Sequence, residues 1–493
     1  MIKIEECYQK MSLPKDPKDT DLTYFLLKPF AKARIFCNRG ELEYRVIEPE
    51  LDETDLKIQE KLHQGLLQVI DISPGNIKSR DELMEYLSNK INGLLKEYGI
   101  ALPKEKYESL LYYIYRNFVG LNEIEALMHD DYIEDINCNG TETPVYIKHR
   151  ILGNLKTNIS FGDPESLKNL IIKLAQRCDK YITYSDPFLE GSLPDGSRVQ
   201  GTISEEISPR GPNFSIRKFR RAPFSPIEFM DSGTIPAETM AYLWLLIEQG
   251  ANILIIGGTG AGKTTFLNVI ANFIPERSKI VSIEDTRELK LFHENWTATV
   301  AREAVGGMEI GEITLDKLLR ESFRENPDYV IVGEVRGKET YIMFQGMASG
   351  HPTIATFHSE DVPSVINRLK TPPISLPPAL IELLDVVVTV QKIEKKNSIA
   401  RKVAKIEAFE YIDDNTGRPV TEIISAWDSK TDKFSFSAQG SALKKISERS
   451  GKDAKEIGLE LKKRKAFLER LAKRGITEIG AVHEEIEKYY TNN

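Results

Sequence analysis

The stretch that most constrains this chain is residues 251–268, which read A-N-I-L-I-I-G-G-T-G-A-G-K-T-T-F-L-N. A short apolar run, residues 253–256, passes directly into glycines and then into Lys263-Thr264. Gly257, Gly262, Lys263 and Thr264 fill the four fixed places of G-x-x-x-x-G-K-[ST], a phosphate-binding loop. Each residue type has a physical reason. Glycines let the backbone curl so that several N–H groups face one point, and the positive end of the following helix faces it too. Lys263 then neutralises the β- and γ-phosphates, while the Thr264 hydroxyl holds Mg²⁺. Gly257, Gly258, Thr259, Gly260, Ala261, Gly262, Lys263, Thr264 and Thr265 are therefore the expected ATP-binding residues. A plain glycine-rich turn would leave the lysine unexplained.

Such a loop needs a strand before it and a helix after it, and the sequence supplies an α/β fold around it. Short β-branched runs at residues 280–283, 329–332, 353–356 and 386–390 alternate with helical stretches, the pattern of a mostly parallel sheet covered by helices. Ligands of such sheets gather beyond the carboxyl ends of the strands. Glu284-Asp285 follow one run and Gly333-Glu334 another. A carboxylate at Glu334 can orient a water for attack on a γ-phosphate, as at the end of a Walker B strand; a surface acid is the alternative. Glu284 is a second candidate for the active site and, with Thr264, a candidate Mg²⁺ ligand, directly or through water. His351 and His358 flank residues 353–356. An imidazole can hydrogen-bond a γ-phosphate oxygen and register its loss, so both are expected as sensors, against the alternatives of structural histidines or metal ligands.

The rest of the chain bounds the function. At 493 residues it has room for about two to four domains. A net charge of −8 argues against broad nucleic-acid binding, though not against local basic patches. Cys7, Cys37, Cys138 and Cys178 form no C-x-x-C pair, which favours a reducing compartment over a zinc site or a disulfide framework. The N-terminus has no apolar signal core, and no apolar run approaches the roughly 18–20 residues that span a bilayer. The chain is expected to be cytoplasmic, without a transmembrane segment of its own.

Residues 1–100 read as an accessory region, with a hairpin turning at Asn38-Arg39-Gly40, a helix opening at Asp52, and a second capped by Ser79 and Glu82. Residues 101–221 read as a smaller α/β domain. It holds strands at 133–140 and 144–148, a helix starting at Asp163-Pro164, a turn at 195–198 and a strand at 214–219. The basic cluster Arg217, Lys218, Arg220 and Arg221 ends that strand, as a solvated edge or an anion contact. Residues 222–227 read as a linker, 228–430 as the phosphate-binding domain with a hairpin around 414–417, and 431–493 as a helical tail. The tail's run Lys462-Lys463-Arg464-Lys465 fits a solvated helix face, with a partner- or membrane-surface contact as the alternative.

Four motifs in order carry a resemblance. Residues 257–264, Ile283-Glu-Asp-Thr-Arg-Glu-Leu289, Val332-Gly-Glu-Val-Arg-Gly337 and the segment from Gly350-His351 to His358-Ser359 resemble the Walker A, Asp box, Walker B and His box of the type II/IV secretion ATPases. The likeness covers roughly residues 120–415, and the first 100 residues with the stretch from Ile133 to Gly140 look most like the archaeal branch, which powers archaella, adhesive pili and related secretion machines. The resemblance implies a RecA-like P-loop core using ATP and Mg²⁺, preceded by a smaller α+β, PAS-like domain. It implies a homohexamer on the cytoplasmic face of the cell membrane, a polytopic membrane platform protein as partner, and pilin-like subunits moved indirectly. It also implies that arginines of the N-terminal domain close over the nucleotide, at positions matching Arg198 and Arg217, with Arg220 a weaker match. The four-cysteine zinc module of some bacterial members is absent. The competing reading is a RecA-like nucleic-acid translocase or helicase, which would need a basic, aromatic-bearing channel; the net acidity and the paired histidines count against it.

Overall fold

The structure, a computed structural model, describes residues 5–6, 19–69, 80–219, 223–302, 311–395, 398–437 and 441–492. The chain divides into two compact units, Met1–Arg221 and Ala222–Asn493.

The first unit is built on a ten-stranded sheet. Its order is Glu5–Glu6, Asp21–Lys28, Ala31–Asn38, Glu41–Ile47, Gly153–Ser160, Pro144–His149, Ile133–Cys138, Asn213–Arg217, Arg198–Thr202 and Phe188–Ser192. All neighbours run antiparallel except Glu41–Ile47 and Gly153–Ser160, which pair in parallel through Glu43 with Lys156 and Tyr44 with Thr157. Strands from either side of residue 100 thus share one sheet. The turn at residues 38–40 is formed, with Arg39 at φ 51° and Gly40 at φ 89°. The helix Pro164–Arg177 starts as expected, the Asp163 carboxylate accepting from the Glu165 and Ser166 N–H groups. Helices Glu53–Val69, Arg80–Glu97 and Lys104–Phe118 meet through a separate apolar cluster that includes Leu62, Leu94 and Leu111. Ser79, the expected cap of the second, lies outside the described residues, as do Cys7, Arg220 and Arg221. Cys37, Cys138 and Cys178 are free thiols.

In the second unit every expected β-branched run is a strand of one nine-stranded sheet. Its order is Trp296–Val300, Ile280–Glu284, Tyr329–Val335, Thr353–His358, Ile253–Gly257, Val386–Lys395, Ser398–Ile412, Pro419–Asp428 and Lys433–Phe436. The first six are parallel, and the last three extend the sheet as an antiparallel meander. The phosphate-loop strand lies between Thr353–His358 and Val386–Lys395, so the strand that carries Glu334 is one place removed. This is a RecA-like order. Ile253 and Ile255 enter the core on one face, Leu254 and Ile256 the core on the other. A parallel strand buried on both faces has to be apolar at every position, which is why the run reads as continuous rather than alternating.

The tail is helical, as Ser441–Ser450, Ala454–Lys473 and Ile479–Asn492. The expectation of a solvated basic run fails at Arg464, which is 2% exposed. Its guanidinium pairs with Glu248 and, at 2.9 Å, with Glu460, and lies 4.8 Å from the centre of the Trp244 ring. Successive helical residues point about 100° apart, so four in a row cannot share one face. Lys462 and Lys463 are exposed, and Arg464 turns inward against Ala237–Glu248.

Candidate active site

The loop after Ile253–Gly257 is shaped by its glycines. A Cβ on Gly257 would stand 2.3 Å from the Val390 carbonyl oxygen of the next strand, a distance no side chain tolerates. Gly262 begins the helix Lys263–Ala271 from φ 93°, a left-handed conformation that only glycine adopts cheaply. The open N–H groups of the first helical turn therefore face the end of the strand, with Lys263 and Thr264 in that turn. Lys263 Nζ donates to the Gly258 carbonyl at 3.3 Å, folding the ammonium back over the loop. Thr264 is half-buried, Thr265 and Thr259 are exposed, and Ala261 is buried.

Two carboxylates stand at the ends of adjacent strands, shifted in opposite directions. Glu284 is 1% exposed. Its Oε1 accepts from the Glu288 and Leu289 N–H groups at 2.8 Å each, whereas Oε2 is buried with no hydrogen-bond partner. Burial pushes its carboxyl up to about 7 despite those two backbone bonds. Gly333, on the neighbouring strand, makes room for it, since a Cβ there would come 3.2 Å from Glu284 Cγ. Glu334 is half-buried, and burial alone would raise it. The Arg336 guanidinium, 2.6 Å away, and the charges of Lys263 and His358 outweigh burial and hold it below its ordinary value. Glu334 is thus ionised at neutral pH, and Glu284 is near its midpoint.

The two histidines part company. His358 ends its strand directly opposite Gly257 in the parallel register and is exposed beside the loop. His351 precedes the start of that strand, at the other end of the sheet, roughly 20 Å of strand away. There its Nδ1 lies 3.1 Å from the Pro327 carbonyl oxygen and its ring stacks on Phe323 at 5.3 Å. Within this unit His351 is not one of the side chains gathered at the phosphate loop.

Two cations carry no expectation from the sequence, Arg401 at the loop and Arg336 beside Glu334. Arg401 donates from Nε to the Gly260 carbonyl at 3.3 Å, and its Cδ would meet a Cβ on Gly262 at 3.1 Å. It reaches the loop from the strand Ser398–Ile412, so no local pattern could have announced it. Arg336 had a signal, because residues 334 and 336 of one extended segment point the same way.

In the first unit, Arg198 and Arg217 are register partners on neighbouring antiparallel strands. Register partners carry their side chains on the same face of the sheet. Lys218 does not belong with them. Its Nζ donates to the Leu127 and Asp130 carbonyls, and burial lowers its ammonium to about 8.

The model of the family described as Type II/IV secretion system protein matches residues 121–482. The uncharacterised protein MJ0900 of Methanocaldococcus jannaschii is 34% identical, over 91% of this chain and 85% of its own length. The type IV secretion system protein PtlH of Bordetella pertussis is 31% identical, over 46% of this chain and 77% of its own. Among solved structures, the Legionella pneumophila ATPase DotB aligns with 70% of this chain and 85% of its own at 16% identity and a TM-score of 0.41, too loosely to add to the sequence match.

Proposed function

The chain belongs to the type II/IV secretion system protein family, and from that premise we propose that it hydrolyses ATP to drive the assembly or secretion of pilin-like subunits through a membrane platform protein. What supports this reading is the gathering of the phosphate loop, Glu284, Glu334 and His358 at the carboxyl ends of one parallel sheet. The loop amides and Lys263 bind the β- and γ-phosphates. Ionised Glu334 orients the attacking water and accepts its proton, with Arg336 fixing the carboxylate. His358 donates to a γ-phosphate oxygen and loses that bond once the phosphate leaves.

The residues at hand fit a magnesium ion. Thr264 offers a hydroxyl in the first helical turn, and Glu284 offers a buried oxygen with no hydrogen-bond partner. Mg²⁺ held there, directly or through water, would neutralise charge on the β- and γ-oxygens. Arg198 and Arg217 are proposed to close over the nucleotide from a first unit, as arginine fingers do. The working form is proposed to be a homohexamer at the cytoplasmic face of the membrane. Among the described residues no helix is long and apolar enough to cross a bilayer; the motor is proposed to act on the membrane through its platform partner.

The test is phosphate release from Mg²⁺-ATP by the purified full chain, with capture of a polytopic membrane protein from native membranes. Turnover that Lys263→Ala abolishes and nucleic acid leaves unchanged supports the proposal. Turnover that rises steeply with single-stranded DNA favours a translocase.

A further inference from the structure

Glu276, His293 and His483 come from three separate segments of the second unit. Glu276 follows the phosphate-loop helix, His293 follows the strand that ends in Glu284, and His483 lies on the helix Ile479–Asn492. One ligand-capable atom of each lies within 4.8 Å of the other two. Neither imidazole is a surface group, since His293 is 4% and His483 9% exposed.

The hydrogen bonding at this point is incomplete in a particular way. His293 Nε2 lies 2.8 Å from the Ile274 carbonyl oxygen. A carbonyl only accepts, so Nε2 carries the proton and Nδ1 of the neutral ring presents a lone pair. That Nδ1 is buried with no hydrogen-bond partner, and so is His483 Nδ1. Glu276 Oε2 approaches His483 Nε2 at 2.8 Å and His293 Nε2 at 4.0 Å, and it too is buried without a hydrogen-bond partner. Three neighbouring residues that each keep a buried polar atom without a partner are an arrangement that protein interiors avoid unless an ion or water completes it.

We propose that Glu276, His293 and His483 form a binding site for a zinc-class divalent metal ion. Two imidazoles and one carboxylate are a common zinc set, with water as a fourth ligand, and imidazole ligands select transition metals over Mg²⁺ or Ca²⁺. The backbone bond from His293 Nε2 is the second contact that ligating histidines characteristically make, fixing tautomer and ring orientation. The ion ties the last helix of the tail to the two segments that follow the phosphate-loop helix and the Glu284 strand. It is a staple, and its binding energy adds to the stability of the fold.

The experiment uses the full chain without nucleotide, stripped with chelator, reloaded with zinc and dialysed. Elemental analysis is expected to find about one zinc per chain in the parent, and at least roughly tenfold less in Glu276→Gln and His483→Gln. Zinc should raise the melting temperature of the parent by about 2 °C or more and leave His483→Gln unmoved. Cobalt(II) in its place should give the visible absorption of a tetrahedral nitrogen–oxygen site. Loss of zinc from the parent on dialysis overturns the proposal whether or not the variants fold. Equal retention by parent and folded variants overturns it too, leaving only the Glu276–His483 contact between the tail and the segment after the phosphate-loop helix.

Discussion

The two ends of the parallel sheet in the second unit carry similar residues and use them differently. At the amino ends of the strands, Asp385 is buried and accepts from the Asn252 N–H and the Arg449 guanidinium, with Lys445 at 3.4 Å. His351 there is held between a carbonyl and an aromatic ring. At the carboxyl ends, Glu284 keeps a buried oxygen without a hydrogen-bond partner, Glu334 is half-buried, and His358 faces solvent beside the loop. Carboxylate, histidine and cation occur at both ends. The difference is unused hydrogen-bonding capacity, which a folded protein tolerates where a ligand will use it.

Substitutions at the two ends can break that comparison. The largest effect is expected from Lys263→Ala, which should reduce phosphate release to background; turnover close to the parent would remove the loop from the mechanism. Next is Arg217→Ala in the first unit, expected to lower kcat by up to about 10³-fold with little change in KM. A matching rise in KM instead would make Arg217 a binding contact only.

Glu284 gives a pH signature. Its carboxyl is held near 7 against 4.5 for the free group, so the folded chain carries the extra proton. Its contribution to stability is full below about pH 4.5 and is lost as pH rises through about 7. Binding of Mg²⁺-ATP near neutral pH should then expel a fraction of a proton, seen as a buffer-dependent calorimetric enthalpy. Glu284→Gln should abolish that dependence, and an unchanged dependence would place the proton elsewhere. The smallest kinetic effects belong to the amino ends. His351→Ala should keep turnover within about twofold of the parent. Asp385→Asn should lower unfolding stability by about 1–2 kcal/mol in urea without a comparable loss of turnover. A large kinetic effect at either would dissolve the contrast between the two ends.

Much of this was legible beforehand, for physical reasons. Strands buried on both faces are continuous apolar runs, and the phosphate loop needs glycine where the backbone crowds Val390 or turns left-handed. The separation of His351 from His358 was legible too. In a parallel sheet a residue before a strand and one after it must stand at opposite ends, so proximity in sequence misled. Pairings between distant segments were not legible. The parallel contact of Glu41–Ile47 with Gly153–Ser160, the approach of Arg401 to the loop, and the meeting of residues 276, 293 and 483 leave no local period or motif. Arg464 lies between these cases, since helical geometry forbids a four-residue solvated run but does not say which member turns inward.

The most direct test of the central claim is the turnover of Glu334→Gln beside its affinity for ATP. Binding is expected to stay close to that of the parent, with hydrolysis reduced about a hundredfold or more. Hydrolysis at the parent rate would contradict that claim, and would leave the carboxyl ends of this sheet as a place where phosphate is held but not attacked.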